Sequence, residues 1–370
     1  MNGLRQAKGW LKGDMVLTIS WVLAILSCFL VPPDGAYLAY IDWHTLALLF
    51  ALMAVMKEYS RAGVFETMGA GLLRLTHASK GVLAVLVFLP FFTSMVITND
   101  VALIAFVPFG LAVLRMAGRT DLAVRLVVLQ TLAANLGSML TPMGNPQNLY
   151  LYQQSGMGFV EFCGVTLPYV LVSGICLGVG ILWGKGQKVE LLEWEAKPIH
   201  KQDVLVSSVG FALSLAAIGK LISPLLAAGV VLVFLLVKER KLLLQLDYGL
   251  LATFVGFFIF IGNLGRVDVF RSLLEQWLSH GVELVAVIAS QCISNVPAAL
   301  LLSGFTQQWN RLIVGCNLGG LGTLIASMAS LISYKILVAQ FPQEKRRYLL
   351  VFSGMNLVLL VILLGLWYAL

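Results

Sequence analysis

Asp100 is the only charged residue between Gly81 and Leu114, and it closes the polar island T-S-M-V-I-T-N-D inside an otherwise apolar run. A bare acid in hydrocarbon costs several kcal/mol, roughly, so Asp100 must pair, bind a cation or hold a proton. Each of those is a way to couple ion movement to something else. A second island follows at 134–150, A-N-L-G-S-M-L-T-P-M-G-N-P-Q-N-L-Y. Pro142 and Pro146 remove backbone donors and clash with the preceding turn, while Gly137 and Gly144 loosen it, so carbonyls and amides come free between Thr141 and Asn148. In a membrane these groups need protein or a water-filled cavity to satisfy them. Asn135, Thr141, Asn145, Gln147 and Asn148 offer oxygens and amides at this break, as a dehydrated ion or a small polar solute requires. One such break alone would be no more than a kinked helix.

The break has counterparts. A third island, Q-C-I-S-N, places Ser294 and Asn295 at the middle of the apolar run 282–305, and a fourth begins at Asn317 with N-L-G-G-L-G-T-L-I-A-S-M-A-S-L. The second and fourth islands align without a gap, matching Asn135 to Asn317, Gly137 to Gly319, Thr141 to Thr323 and Asn145 to Ser327. Upstream, Thr98-Asn99 aligns with Ser294-Asn295, and A-G-V-F-E-T-M-G with R-V-D-V-F-R-S-L. Asp100 falls opposite Val296, so only one of the two tips is ionisable.

The elements that hold these residues follow from composition. The 370 residues are 59% hydrophobic and 12% charged, against about a quarter charged in soluble domains. This is an all-α polytopic membrane protein. Its net charge of +7 lies in short clusters between apolar runs, the pattern of cytoplasmic loops rather than of a nucleic-acid surface. The five cysteines stand singly in apolar segments and read as small buried hydrophobes, with no transition-metal spacing. His44, His77, His200 and His280 are isolated near span ends or loops. No phosphate-binding loop, zinc motif or hydrolase elbow appears, so ATP-driven pumping and enzymatic chemistry are excluded and no cofactor is called for.

Spans of about 20 residues are expected at 15–31, 37–56, 122–152, 163–183, 204–222, 224–237, 248–262, 311–338 and 349–370. The charge order of residues 1–14 resembles a signal peptide, but the run after them is as long as a full span and reads as the first transmembrane helix. The runs 81–115 and 282–305 have arms too short to span and middles too polar for lipid, so each is expected to be a re-entrant hairpin. The chain then divides into a first repeat at 1–183, with hairpin 81–115 and broken helix 122–152, and a cytoplasmic linker at 184–203. The region 204–370 holds a connecting helix and a second repeat, with hairpin 282–305 and broken helix 311–338. With a cytoplasmic N-terminus, 20 of the 25 basic residues fall inside, and the hairpins enter from opposite faces. Two inverted repeats, each with a re-entrant hairpin and a broken transmembrane helix, form the architecture of secondary transporters. The half-helices starting near Val101 and Pro297 direct partial positive charge at an anion, while carbonyls freed near Gly137 and Gly319 suit sodium. No Arg or Lys lies in the four polar islands.

T-N-D-V-A-L followed by T-P-M-G-N-P-Q-N, and S-N-V-P-A-A-L-L-L followed by N-L-G-G-x-G-x-L-x-A-S-x-A-x-L, resemble the paired signatures of the ion-transporter superfamily. That superfamily includes the arsenite permeases and the citrate and dicarboxylate transporters. The likeness covers nearly the whole chain and is closest to short bacterial inner-membrane permeases with a citrate-transporter-like domain. It implies elevator-type alternating access and a scaffold region that often dimerises, so the implied partners are the bilayer, a small anionic or oxyacid substrate and a second copy in a homodimer. It also implies a multi-pass protein of the bacterial inner membrane. The family's cation-binding and coupling positions fall on Thr98, Asn99, Asp100 and Gly137, and on Ser294, Asn295, Gly319 and Thr323. Substrate contacts are expected from Asn99, Asp100, Thr141, Asn145, Asn148, Asn295, Thr323 and Ser327.

The expectation is a secondary active transporter of a small anion or arsenite-like oxyacid, coupled to Na+ or H+ through Asp100. A Na+/H+ antiporter and a non-transporting membrane scaffold are the alternatives.

Overall fold

The computed structural model describes residues 15–73, 79–182 and 201–370, and among them it is built of helices and loops without a strand. Residues 183–200, most of the expected linker, and with them His200, lie outside this description, as does His77. Helix α1 (Met15–Cys28) stops short of Pro32-Pro33, which cannot continue a helix. The span expected at 37–56 is divided: one turn, α2 (Tyr37–Tyr40), precedes α3 (Trp43–Arg61). Asp42 makes the division, because its carboxylate caps α3 by accepting the amides of His44 and Thr45, each at 3.0 Å. α4 (Val64–Leu73) then turns off at Gly63, whose φ of 73° favours glycine.

The first polar island separates α5 (Ser79–Thr93) from α6 (Asn99–Met116) as a helix–turn–helix. Both arms were expected to be too short to span. α6 overturns this: its 18 residues rise about 27 Å at 1.5 Å each, nearly the hydrocarbon thickness. The second island breaks α7 (Ala123–Gly137) from α8 (Pro146–Ser155) through two 3-10 turns, Ser138–Leu140 and Pro142–Gly144. α9 (Phe159–Leu182) completes the first half.

The second half opens with α10 (Lys201–Ile218), α11 (Pro224–Lys238), the short α12 (Arg240–Leu243) and α13 (Tyr248–Leu264). α14 (Asp268–Ser279) is bent by 101° from α13. The segments matched in sequence around Phe65 and Phe270 both form short helices, α4 and α14. α15 (Val282–Ile293) and α16 (Asn295–Ser303) are joined by one residue, Ser294, at φ 74°. α17 (Trp309–Gly319) is broken from α18 (Met328–Gln340), and α19 (Lys345–Ala369) ends the fold.

Packing repeats between the halves. α5 and α6 pack on α7 as α15 and α16 pack on α17, while α6 reaches across to α18 and α16 to α8. Around this core α3 packs with α10 and α11, and α1 with α13. By length and composition four described helices can cross a membrane, or five with the bent pair counted as one span. Val160, Ile175 and Val179 of α9 and Leu350, Leu357 and Val361 of α19 are exposed, an apolar belt that only lipid or another apolar partner covers well. Cys316 is buried as expected, whereas Cys292 is exposed and Cys28, Cys163 and Cys176 are half-buried.

Candidate functional site

The two breaks are held together by buried asparagines that pair across the halves. Asn135, near the end of α7, accepts from Asn99 Nδ2 at 3.0 Å and from Ser327 Oγ at 3.2 Å, and its own Nδ2 donates to Ser330 Oγ at 3.0 Å. Asn317, near the end of α17, accepts from Asn145 Nδ2 at 3.3 Å and donates to Asn148 Oδ1 at 2.7 Å. In the gapless match of the two breaks Asn145 stands on Ser327 and Asn148 on Ser330. Each half's asparagine is therefore clasped by the same two positions of the other half. Buried amides in such a network hold one geometry, since leaving one unpaired costs about 1–3 kcal/mol.

The glycines explain how the helices come close enough. A Cβ on Gly137 would overlap the backbone carbonyl of Phe91 in α5, and one on Gly319 would overlap the Ser290 side chain in α15. The freed backbone groups also find partners. Asn148 Nδ2 lies 3.3–3.4 Å from the carbonyls of Ser138, Met139 and Thr141, and Gln291 Nε2 donates to those of Gly319 and Leu321 at 2.9 Å. Thr141 Oγ1 donates to the Met95 carbonyl in the turn before α6.

Asp100, in the first turn of α6, faces a cavity of about 200 Å³ together with Thr98 and Asn145. The opposite wall comes from helices outside the core: Met53, Lys57 and Ser60 of α3, with Gln245 and Asp247 before α13. Tyr150 Oη meets Ser303 Oγ at 2.9 Å, and the Tyr150 ring packs on Phe254 and Phe258 with centroids 6.4 and 5.7 Å away. Tyr150 and Phe258 of this aromatic cluster also line a second cavity of about 660 Å³, together with Tyr40, Asp42, Trp43, His44 and Gln154.

The expected residues thus divide. Asn99 and Ser327 meet at Asn135, Asn145 and Asn148 meet at Asn317, and Thr98 and Asp100 line the cavity that Asn145 also reaches. Ser294 and Asn295 are buried at the second turn, where the Asn295 amide and Ser294 Oγ bond the Ala326 carbonyl at 3.0 and 3.4 Å. Thr323 stands apart: it is exposed, and its amide donates to Gln291 Oε1 at 3.0 Å. Sequence reasoning passed over Ser330 as a clasp, although the alignment that paired Asn145 with Ser327 also reaches Ser330. Lys57 and Asp247 gave no such signal.

Asn145 caps α8 through the Asn148 amide at 2.9 Å as well as supporting Asn317. Asn145→Ala is therefore expected to destabilise the protein by about 2–4 kcal/mol, combining a lost cap with an unpaired buried amide. Asn145→Ser, which keeps the cap, should recover about half. Thermal unfolding in detergent measures both; equal melting for all three proteins would show that the clasp carries no stability.

Comparison with known proteins identifies the family. Residues 10–308 match the citrate transporter family. The chain is 30% identical over 345 residues to the inner membrane protein YbiR of Escherichia coli, covering 88% of each. It is 31% identical over 298 residues to the uncharacterized transporter MJ0456 of Methanocaldococcus jannaschii, covering 80% of this chain and 81% of that one. A shorter match, 32% over 154 residues, covers 41% of this chain and 30% of the silicon efflux transporter LSI3 of rice. On the length of the family match and the near-complete coverage by YbiR, this chain belongs to the citrate transporter family.

Proposed function

We propose that this membrane transporter is a secondary carrier of a small oxyacid or its singly charged anion, coupled to H+ or Na+ through Asp100. The observation that carries the reading is the Asp100 cavity: an acid in the first turn of α6, open to a small space shared by the core and the helices around it. At about 30 Å³ per water, that space holds roughly six or seven waters, the size of a solute with a handful of heavy atoms. Its lining carries Lys57 against Asp100 and Asp247, an acidic balance that disfavours a tricarboxylate. The silicon transporter among the relatives supports the same class, since dissolved silicon is a small oxyacid.

The core, α5–α8 with α15–α18, would move against α1, α3, α10, α11 and α13 in an elevator cycle. With the N-terminus in the cytoplasm of a bacterial inner membrane, α3 ends inside. The Asp100 cavity would then face inward, with the Tyr150 cluster closing the outer side. Thr98, Asn99, Gly137, Ser294, Asn295 and Gly319 would shape the cation sites around the two turns, with the Thr323 region at the edge of the second. Asp247 across from Asp100 favours the antiporter as a second reading, because two facing carboxylates suit a cation with no anion.

The test is uptake of arsenous acid, silicic acid and formate into proteoliposomes under an imposed proton or sodium gradient. The transport reading expects accumulation of at least one probe only with a gradient. Cation exchange without accumulation of any probe would replace it with the antiporter.

A further inference from the structure

We propose that Lys57 is the anion-recognising group of this carrier, a positive charge that the surrounding helices bring to the Asp100 cavity to hold the negative oxygen of a singly charged oxyanion. The inference rests on the transport reading and adds what the polar islands of the core lack, since no Arg or Lys lies in any of the four. Three charged residues crowd the end of α3, and two are committed. Arg61 donates to Glu58 Oε1 and, through its other nitrogen, to Glu239 Oε2, both at 2.6 Å, which ties α3 to α11. Lys57 lies one turn earlier, is half-buried and lines the cavity. Among the described residues it makes no ion pair within 4 Å and no hydrogen bond through its side chain, so the ammonium's three donors are uncommitted.

The acids facing it do not use up its charge. Asp247 accepts the Leu250 amide at 3.1 Å and caps α13, where the positive end of the helix offsets it. Asp100, on the opposite wall, is neutral whenever it carries the coupling proton, and balanced when it carries sodium. In that loaded state Lys57 is the remaining centre of attraction for an anion, with Thr98 and the first turns of α6 and α8 behind it. One lysine matches one negative charge, which sets the ligand class: a singly charged oxyanion binds through Lys57, while a neutral oxyacid has no need of it.

The experiment reads the field of Lys57 without needing the substrate. Met53 lines the same cavity and lies four residues before Lys57, hence on the same helix face about 6 Å away. Met53→Cys, in a protein whose five native cysteines are replaced, is labelled with an anionic and a cationic methanethiosulfonate of similar size. Removing a unit charge at that distance changes the ratio of the two rates about tenfold. Lys57→Gln is thus expected to lower the anionic-to-cationic ratio about tenfold, and Lys57→Arg to keep it. An unchanged ratio, as for a lysine extended towards lipid headgroups, or no labelling by either reagent, overturns the proposal.

A second arm compares formate with arsenous acid, which is uncharged at pH 7, in the uptake assay. Lys57→Gln should raise KM for formate at least tenfold and leave arsenous acid unchanged; equal loss of both rejects recognition by Lys57. If the parent protein moves neither probe, the transport reading fails in that arm, while the labelling ratio still decides the charge at Lys57.

Discussion

Asp100→Asn is expected to collapse gradient-driven accumulation of the solute to a ratio of about one, while solute exchange under equal ion concentrations persists. The reason is the cost of moving the solute-bound site without its ion. Carrying a bare acid through the bilayer centre costs about 2.5–3.5 kcal/mol, equivalent to about a hundredfold in rate or population. Among the described residues Asp100 has no cationic partner within 4 Å that could travel with it. The core that has bound solute without its ion is held back until a proton or sodium neutralises the carboxylate, and this restraint ties solute to ion. Asn keeps the size and the hydrogen-bonding capacity but is neutral at every pH, so solute crosses without an ion and the gradient does no work. Paired uptake and exchange assays on the same vesicles measure this. Loss of both, in a protein with unchanged melting, would make Asp100 a solute contact rather than the coupling group. Accumulation retained by the variant would remove it from the mechanism.

Gly137→Ala is expected to be among the most damaging single-methyl additions in the core, and one that no neighbouring substitution repairs. The added Cβ meets the Phe91 carbonyl, and the Phe91 carbonyl carbon lies 2.8 Å from it. That obstacle is backbone, so α5 itself must back away, and with it the turn that Thr141 holds through Met95. Overpacking of this kind costs about 1–3 kcal/mol or more. Gly319→Ala provides the comparison, because its nearest obstacle is a side chain: Ser290 Cβ lies 2.7 Å from the added atom. Ser290→Gly should restore most of the melting temperature and flux lost in Gly319→Ala. Ser94→Gly, which removes the side-chain neighbour 2.8 Å from the Gly137 position, should not rescue Gly137→Ala. Rescue at both sites, or at neither, would mean that the two approaches are not limited by the atoms named.

Much of this arrangement was legible in the residues. Polar islands inside apolar runs marked where helices had to stop, and the structure stops them at 94–98, 138–145, 294 and 320–327. The match of Asn135 to Asn317 placed both asparagines at equivalent ends of α7 and α17. What the match did not reveal was the partner. Asn135 is clasped by Ser327 and Ser330 of the opposite half, and local sequence holds no record of which helices cross. The division of the expected span 37–56 was present in Asp42, an N-cap residue read through as part of a longer run. The length of α6 was concealed because Asn99 and Asp100 were counted with the polar island, whereas they form the helix's first turn. Lys57 and Asp247 were invisible as site residues for a different reason. They stand near helix ends, where charge is ordinary, and only the packing of α3 and α13 beside α6 gives them a cavity to face.

The measurement that tests the central claim most directly is charge movement in proteoliposomes after rapid solution exchange, with an internal pH dye read in parallel. A proton or sodium jump alone is compared with the same jump plus arsenous acid, silicic acid or formate. The account predicts a current or pH signal that requires one of these solutes and disappears in Asp100→Asn. Proton flux driven by sodium with no solute present would contradict it and identify an antiporter.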